Sequence, residues 1–338
     1  MLWVKFAICF FLIIVSGYKL SSYADIISKA GRFSASLMGI LILAFITSCP
    51  ELVVSLTSIT TVNAPDLAMG DLLGADVFNI FAIALLGIIC GRGSILMTST
   101  GPSGQSRSNI LSAALTAVML FVVIGFIILS HIFSFRLEIF NISLGSILLA
   151  VIYILGCTFI YKHEAHIAKP ETKEKIAKPL IIKFIISALI IIGSGIWLAY
   201  IGKEITDFYN WNEMYVGVLL LAFATTTPEF IVSLTALKRN SVYMATGNLL
   251  GSNLFNLFII FVLDASLRKG NFFSCISGLN ILPASLAIIL TVIAIGAMLK
   301  KPARKPGAKY FPWDSTIIIT VFLAGHYLLF KLVHVLKW

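Results

Sequence analysis

Charge is what this sequence has least of. Asp, Glu, Lys and Arg make up 12% of its 338 residues, about half the share of an ordinary soluble chain. Hydrophobic residues make up 59%. That balance excludes a soluble enzyme or binding domain and defines a polytopic membrane protein. Cysteine is sparse as well. Cys9, Cys49, Cys90, Cys157 and Cys275 are scattered, mostly within apolar runs, with no Cys-x-x-Cys or Cys/His ligand spacing. A disulfide framework and a zinc site are therefore excluded. The chain also lacks a Ser/His constellation, an Asp/Asp pair in a shared motif and any His-Glu-x-x-His run, so an intramembrane enzyme has no footing and no cofactor is expected.

What the chain has is long apolar runs. It has room for about ten spans of about 20 residues with short loops. Hydropathy and turn punctuation place helices at 2–18, 34–62, 66–90, 108–131, 142–161, 180–202, 213–238, 241–264, 279–299 and 313–335. The first run resembles a signal peptide in length, but no small-residue cleavage site follows, and it reads as a helix. The longest loops are 91–107, 162–179 and 300–312. The net charge of +10 does not point to nucleic acid, because the basic residues sit in short loops. Loops after the odd-numbered helices hold 17 Lys and Arg; those after the even-numbered helices hold four. The positive-inside rule then puts the odd loops, including 162–179, in the cytoplasm and both termini outside.

Two stretches repeat each other. Residues 39–81 read GILILAFITSCPELVVSLTSITTVNAPDLAMGDLLGADVFNIF, and 217–258 read GVLLLAFATTTPEFIVSLTALKRNSVYMATGNLLGSNLFNLF. The offset is 178 residues up to the glutamates and 177 after them, which spans five helices. Five is odd, so the second half crosses the membrane in the opposite sense. The expectation is an all-α integral membrane protein whose ten transmembrane helices form two inverted-topology five-helix repeats, 1–161 and 180–338, joined by 162–179.

Each copy carries a glutamate, Glu51 or Glu229, inside an apolar run, where carboxylates are costly and mark ion pathways. Pro50 lacks an N–H and its ring clashes with the Ile46 carbonyl, so the second helix is expected to kink there. Thr47, Ser48 and Glu51 share a face at helical spacing. The seventh helix is expected to repeat this with Thr225, Thr226, Pro228 and Glu229. The third helix adds a stripe of Asp71, Ala75 and Asn79, and the eighth adds Asn248, Ser252 and Asn256. Glycines 70, 74, 247 and 251 beside the stripes allow close helix approach. The set is all oxygen, which suits hard cations such as calcium or sodium and disfavours transition metals.

At these residues the chain resembles the cation/calcium exchanger superfamily, most closely its sodium/calcium exchanger branch. The motifs that carry the resemblance are T-S-C-P-E with G-x-x-G-A-x-x-F-N, and T-T-T-P-E with G-N-L-L-G-S-N-L-F-N. It implies an antiporter that exchanges calcium for sodium by alternating access, with helices 1 and 6 sliding against the rest. It implies a calcium site at Glu51 and Glu229 with Thr47, Ser48, Thr225 and Thr226. It also implies adjacent sodium sites using Asn79, Ser252, Asn256 and the carbonyls of Ala44 and Ala222. The chain departs from the family at Ala75, where a serine is usual, and at Asn256, often aspartate. Asp71 and Asp76 stand where the family commonly has uncharged residues. Asp71 lies on the Asn79 stripe, placed to restore the missing charge; Asp76 lies off it and reads as structural. The rival readings are a cation/proton antiporter on the same fold and a cation channel. Inorganic cations and the lipid bilayer are the expected partners, with no obligatory protein partner. The compact loops suggest a prokaryotic plasma membrane.

Overall fold

The computed structural model describes residues 1–29, 38–91, 93–98, 104–131, 137–165, 178–267, 271–300 and 312–336. The spans are α1 (Leu2–Lys29), α2 (Ile40–Thr47 and Cys49–Thr60), α3 (Pro65–Ile89), α4 (Gly104–His131), α5 (Leu144–Ala165), α6 (Lys178–Tyr209), α7 (Glu213–Lys238), α8 (Val242–Ser266), α9 (Ile281–Leu299) and α10 (Trp313–Leu336). The element types follow the sequence reading, but several bounds do not. α1 runs well beyond residue 18, and α6 extends past 202. A two-residue hairpin, β1 (Glu138–Ile139) with β2 (Ile142–Ser143), precedes α5. A short helix, Ile95–Thr98, follows α3. Most of the 162–179 linker lies outside the described residues. So do Arg32, Arg92, Arg136, Lys169, Lys173, Lys175, Arg268, Lys269, Lys301, Arg304, Lys305 and Lys309, all counted for orientation.

The packing is twofold. α2, α3, α7 and α8 form the centre, and each contact has a mate in the other half. α2 packs on α6 as α7 packs on α1. α3 packs on α9 as α8 packs on α4, and on α10 as α8 does on α5. These exchanges follow from an inverted five-helix repeat with its pseudo-twofold axis in the membrane plane. Turn chemistry repeats too. Asn63 ends α2 at φ 55° and Asn240 ends α7 at φ 60°, both in the left-handed region that asparagine tolerates best after glycine.

Both repeated helices are entered through a π-helical stretch, Met38–Leu43 leading into α2 and Gly217–Leu221 within α7. These wide turns, common at functional sites, lie against glycines of the partner half. A Cβ on Gly74 would sit 2.7 Å from both Val218 Cα and Ala222 Cβ. Gly251 meets the Ile40 backbone in the same way. The small-residue contact keeps the four central helices close enough for short polar side chains to span between them.

Candidate functional site

The two Pro-Glu motifs fold differently. α2 breaks at Ser48 (φ −84°, ψ 11°), and its pieces are bent by 47°. α7 instead runs as continuous helix from Ala222 to Lys238 with Pro228 inside it. The expectation of matching kinks is thus corrected. The hydroxyls differ as well. Ser48 turns away from its own helix and donates to Glu229 Oε1 at 3.1 Å. Thr226, its counterpart, donates back to the Ala222 carbonyl at 2.6 Å.

Glu51 and Glu229 are both fully buried. Neither Glu51 oxygen has a hydrogen-bond partner, and neither does Glu229 Oε2. Two of the flanking hydroxyls, Thr225 and Thr47, reach acceptors in the opposite half. Thr225 Oγ1 donates to Asp71 Oδ1 at 3.1 Å, and Ser55 donates to Asp71 Oδ2 at 3.1 Å. The symmetric position carries Asn248. Its Oδ1 lies 3.3 Å from Thr47 Oγ1, and its Nδ2 donates to Ser233 Oγ at 3.1 Å. Asp71 and Asn248 therefore do the same job, each tying a helix of one half to one of the other. Both carboxylate oxygens of Asp71 are already engaged, so it positions Thr225 and presents no unpartnered oxygen. The carbonyls of Ala44 and Ala222 also accept bonds, from Ser48 N at 3.0 Å and from Thr226.

One step further along α3 and α8 the pattern repeats with amides. Asn79 Nδ2 donates to Asn253 Oδ1 at 2.9 Å, and Asn256 Nδ2 donates to Asp76 Oδ1 at 3.1 Å. Asn79 Oδ1, Asn256 Oδ1 and Ser252 Oγ are left unpartnered and buried. Sequence reasoning named Asn79, Ser252 and Asn256 but missed Ser55, Ser233 and Asn253. Ser55 and Ser233 stand at equivalent positions of the repeat, a signal that duplication alone offers.

Unpartnered buried oxygens at this depth are costly, and here they cluster on the helices nearest the pseudo-twofold axis. Among the described residues no three Asp, Glu, His or Cys side chains converge on one point, so hydroxyl, amide and carbonyl oxygens must complete any cation's shell. Six to eight such ligands are what a hard divalent ion takes.

An inverted ten-helix repeat around buried oxygens is the architecture of a membrane cation transporter. The chain belongs to the sodium/calcium exchanger protein family, whose model matches residues 1–162 and 179–336, and it is a cation/calcium exchanger. It is 25% identical over 299 residues to an uncharacterized membrane protein of Methanocaldococcus jannaschii, covering 88% of this chain and 87% of that one. It is 21% identical over 318 residues to a protein of Alkalimonas amylolytica provisionally named antiporter CaxA, covering 91% and 92%. A solved structure of the sodium–calcium exchanger NCX_Mj superposes with a TM-score of 0.59 at 18% identity, covering 96% of this chain and 98% of that one, a likeness of fold.

Proposed function

We propose that this exchanger moves calcium one way and sodium the other, the two ions competing for oxygens around Glu51 and Glu229. The observation that carries the reading is the pair of fully buried glutamates with three carboxylate oxygens unpartnered. Calcium takes Glu51 and Glu229 with the hydroxyls of Thr47, Ser48, Thr225 and Thr226. Sodium uses Asn79, Ser252 and Asn256 with the carbonyls of Ala44 and Ala222, and Asp71 holds Thr225 in place.

Coupling follows from charge. An empty site leaves two buried carboxylates uncompensated, which is unfavourable while the site is sealed from water on both sides. An ion-filled site is neutralised and can be sealed and reopened. The movement is carried by α1 and α6 as one unit. They pack along each other and are clamped at one end by Lys5 to Glu204 at 2.9 Å and Trp3 Nε1 to Tyr209 Oη at 2.8 Å. They meet the glutamate helices through small residues, Gly17 on Pro228 and Gly195 on Val53. The halves 1–161 and 180–338 supply the two symmetric gates. The loop 162–179 lies in the cytoplasm and the termini outside, in a prokaryotic plasma membrane.

The test is uptake of radioactive calcium into proteoliposomes loaded with sodium and diluted into sodium-free buffer, beside a sodium-free arm with an imposed pH gradient. Uptake that requires internal sodium supports the proposal. Uptake driven by the pH gradient alone moves the coupling to protons.

A further inference from the structure

We propose that Asp76 supplies the carboxylate of a pocket for a monovalent alkali cation between α3 and α8. This deepens the sodium/calcium reading and rests on it. Asp76, Asn79, Ser252, Asn253 and Asn256 are all fully buried at the crossing of α3 and α8. Asn253 Nδ2 donates to the Asp76 backbone carbonyl at 3.0 Å, Asn256 Nδ2 to Asp76 Oδ1 at 3.1 Å, and Asn79 Nδ2 to Asn253 Oδ1 at 2.9 Å. Every amide nitrogen of the group thus has an acceptor. Four oxygens of the group have no partner: Asp76 Oδ2, Asn79 Oδ1, Asn256 Oδ1 and Ser252 Oγ.

A polar cluster that served only to glue two helices would pair acceptors with donors, because each unpaired buried group is unfavourable. This one leaves four oxygens without partners at membrane depth. Spacing keeps them on facing surfaces. Asp76 and Asn79 are three apart on α3, and Ser252 and Asn256 four apart on α8, so each pair shares a helix face. The charge count selects the ion. The unpartnered oxygens here come from one carboxylate, two amides and one hydroxyl. One negative charge balances one monovalent cation, whereas the glutamate pair balances a divalent one. The two repeats also differ here: Asp76 in the first copy stands where the second has Asn253. The symmetric scaffold therefore carries an unsymmetric charge, bonded to Asn256 across the interface.

The experiment measures calcium-for-calcium exchange of radioactive calcium in proteoliposomes, with sodium added as inhibitor on both sides. The wild type, Asp76→Asn and the swap Asp76→Asn/Asn256→Asp are compared. In Asp76→Asn the half-inhibiting sodium concentration rises about tenfold, the size of one lost charged ligand, and the sodium Hill coefficient falls. The half-saturating calcium concentration shifts by less than about threefold. The swap keeps an Asp–Asn pair in the same hydrogen bond and returns the sodium midpoint toward the wild-type value. An unchanged sodium midpoint and Hill coefficient in Asp76→Asn overturns the proposal. So does a parallel shift for sodium and calcium that the swap does not rescue, since that is how a purely structural tether behaves. If Asp76→Asn does not fold, the swap decides alone: sodium inhibition lost in a folded swap variant overturns the proposal, and inhibition retained supports it. A wild type that ignores sodium removes the sodium/calcium reading and the pocket with it. A sodium-sensitive wild type with an unmoved variant removes the pocket alone.

Discussion

Replacing Glu51 by glutamine separates a ligand from a structural group, because its two oxygens hold no hydrogen bond that the fold depends on. Without calcium the substitution removes a buried, unpaired charge and keeps the side-chain volume. An uncompensated carboxylate at membrane depth costs at least about 2.5 kcal/mol, so the variant is expected to be as stable as the wild type or more so. With calcium the order reverses. A ligand at 100 times its Kd stabilises the folded state by about 2.7 kcal/mol. Two unit charges 4 Å apart at an effective dielectric of 20 interact by about 4 kcal/mol, a lower figure than a divalent ion at bonding distance would give. Losing that much raises Kd by roughly a thousandfold. The same calcium concentration then stands at about one-tenth of the new Kd, where stabilisation falls below about 0.1 kcal/mol. The assay is thermal unfolding of purified protein in detergent, with chelator and with calcium. Calcium raises the midpoint of the wild type and leaves Glu51→Gln unmoved. A variant that keeps the wild-type calcium shift, or that is less stable than the wild type in chelator, refutes the reasoning.

Other expectations follow from particular contacts. Ser48→Ala removes a ligand hydroxyl together with its bond to Glu229 Oε1 and weakens calcium binding about tenfold or more, whereas Thr226→Ala removes a ligand hydroxyl that bonds within its own helix and has the smaller effect; calcium titration of both variants checks the order. Gly74→Ala forces a Cβ against the backbone of Val218 and destabilises by about 1–3 kcal/mol, read as a lowered midpoint without ligand. Gly17→Val wedges α1 away from Pro228, so it slows turnover of calcium exchange more than it changes the calcium midpoint. Asp71→Ala removes the acceptor that Ser55 and Thr225 share, leaves them the backbone carbonyls of Ala68, Leu221 and Ala222, and lowers stability by about 1 kcal/mol, unlike Glu51→Gln.

The duplicated segment made most of this legible in sequence. Ten spans, the odd five-helix offset and the glutamates could be read because the same residues occur twice in register. The unlike fates of Pro50 and Pro228 could not. Both copies place proline before glutamate, and only the fold shows Ser48 bonding across to Glu229 where Thr226 bonds within its own helix. The π turns before each motif leave no mark in periodicity, because they are set by packing on Gly74 and Gly251. Asp71 could be placed on a stripe, but its occupants, Ser55 and Thr225, lie 16 and 154 residues away. Asp76 lies off the Asn79 stripe, and only the crossing of α3 over α8 brings Asn256 to it. Gly17 and Gly195 stand 178 residues apart, the offset of the repeat, and their meaning emerges only once α1 and α6 lie against the glutamate helices.

The most direct test of the central claim follows both ions at once in a single vesicle population. Proteoliposomes carrying labelled sodium are diluted into labelled calcium, and calcium entry and sodium exit are recorded for the wild type and Glu229→Gln. The account predicts that each flux requires the other ion and that both vanish together in the variant. Calcium entry that continues in Glu229→Gln, or that proceeds without sodium exit, contradicts it.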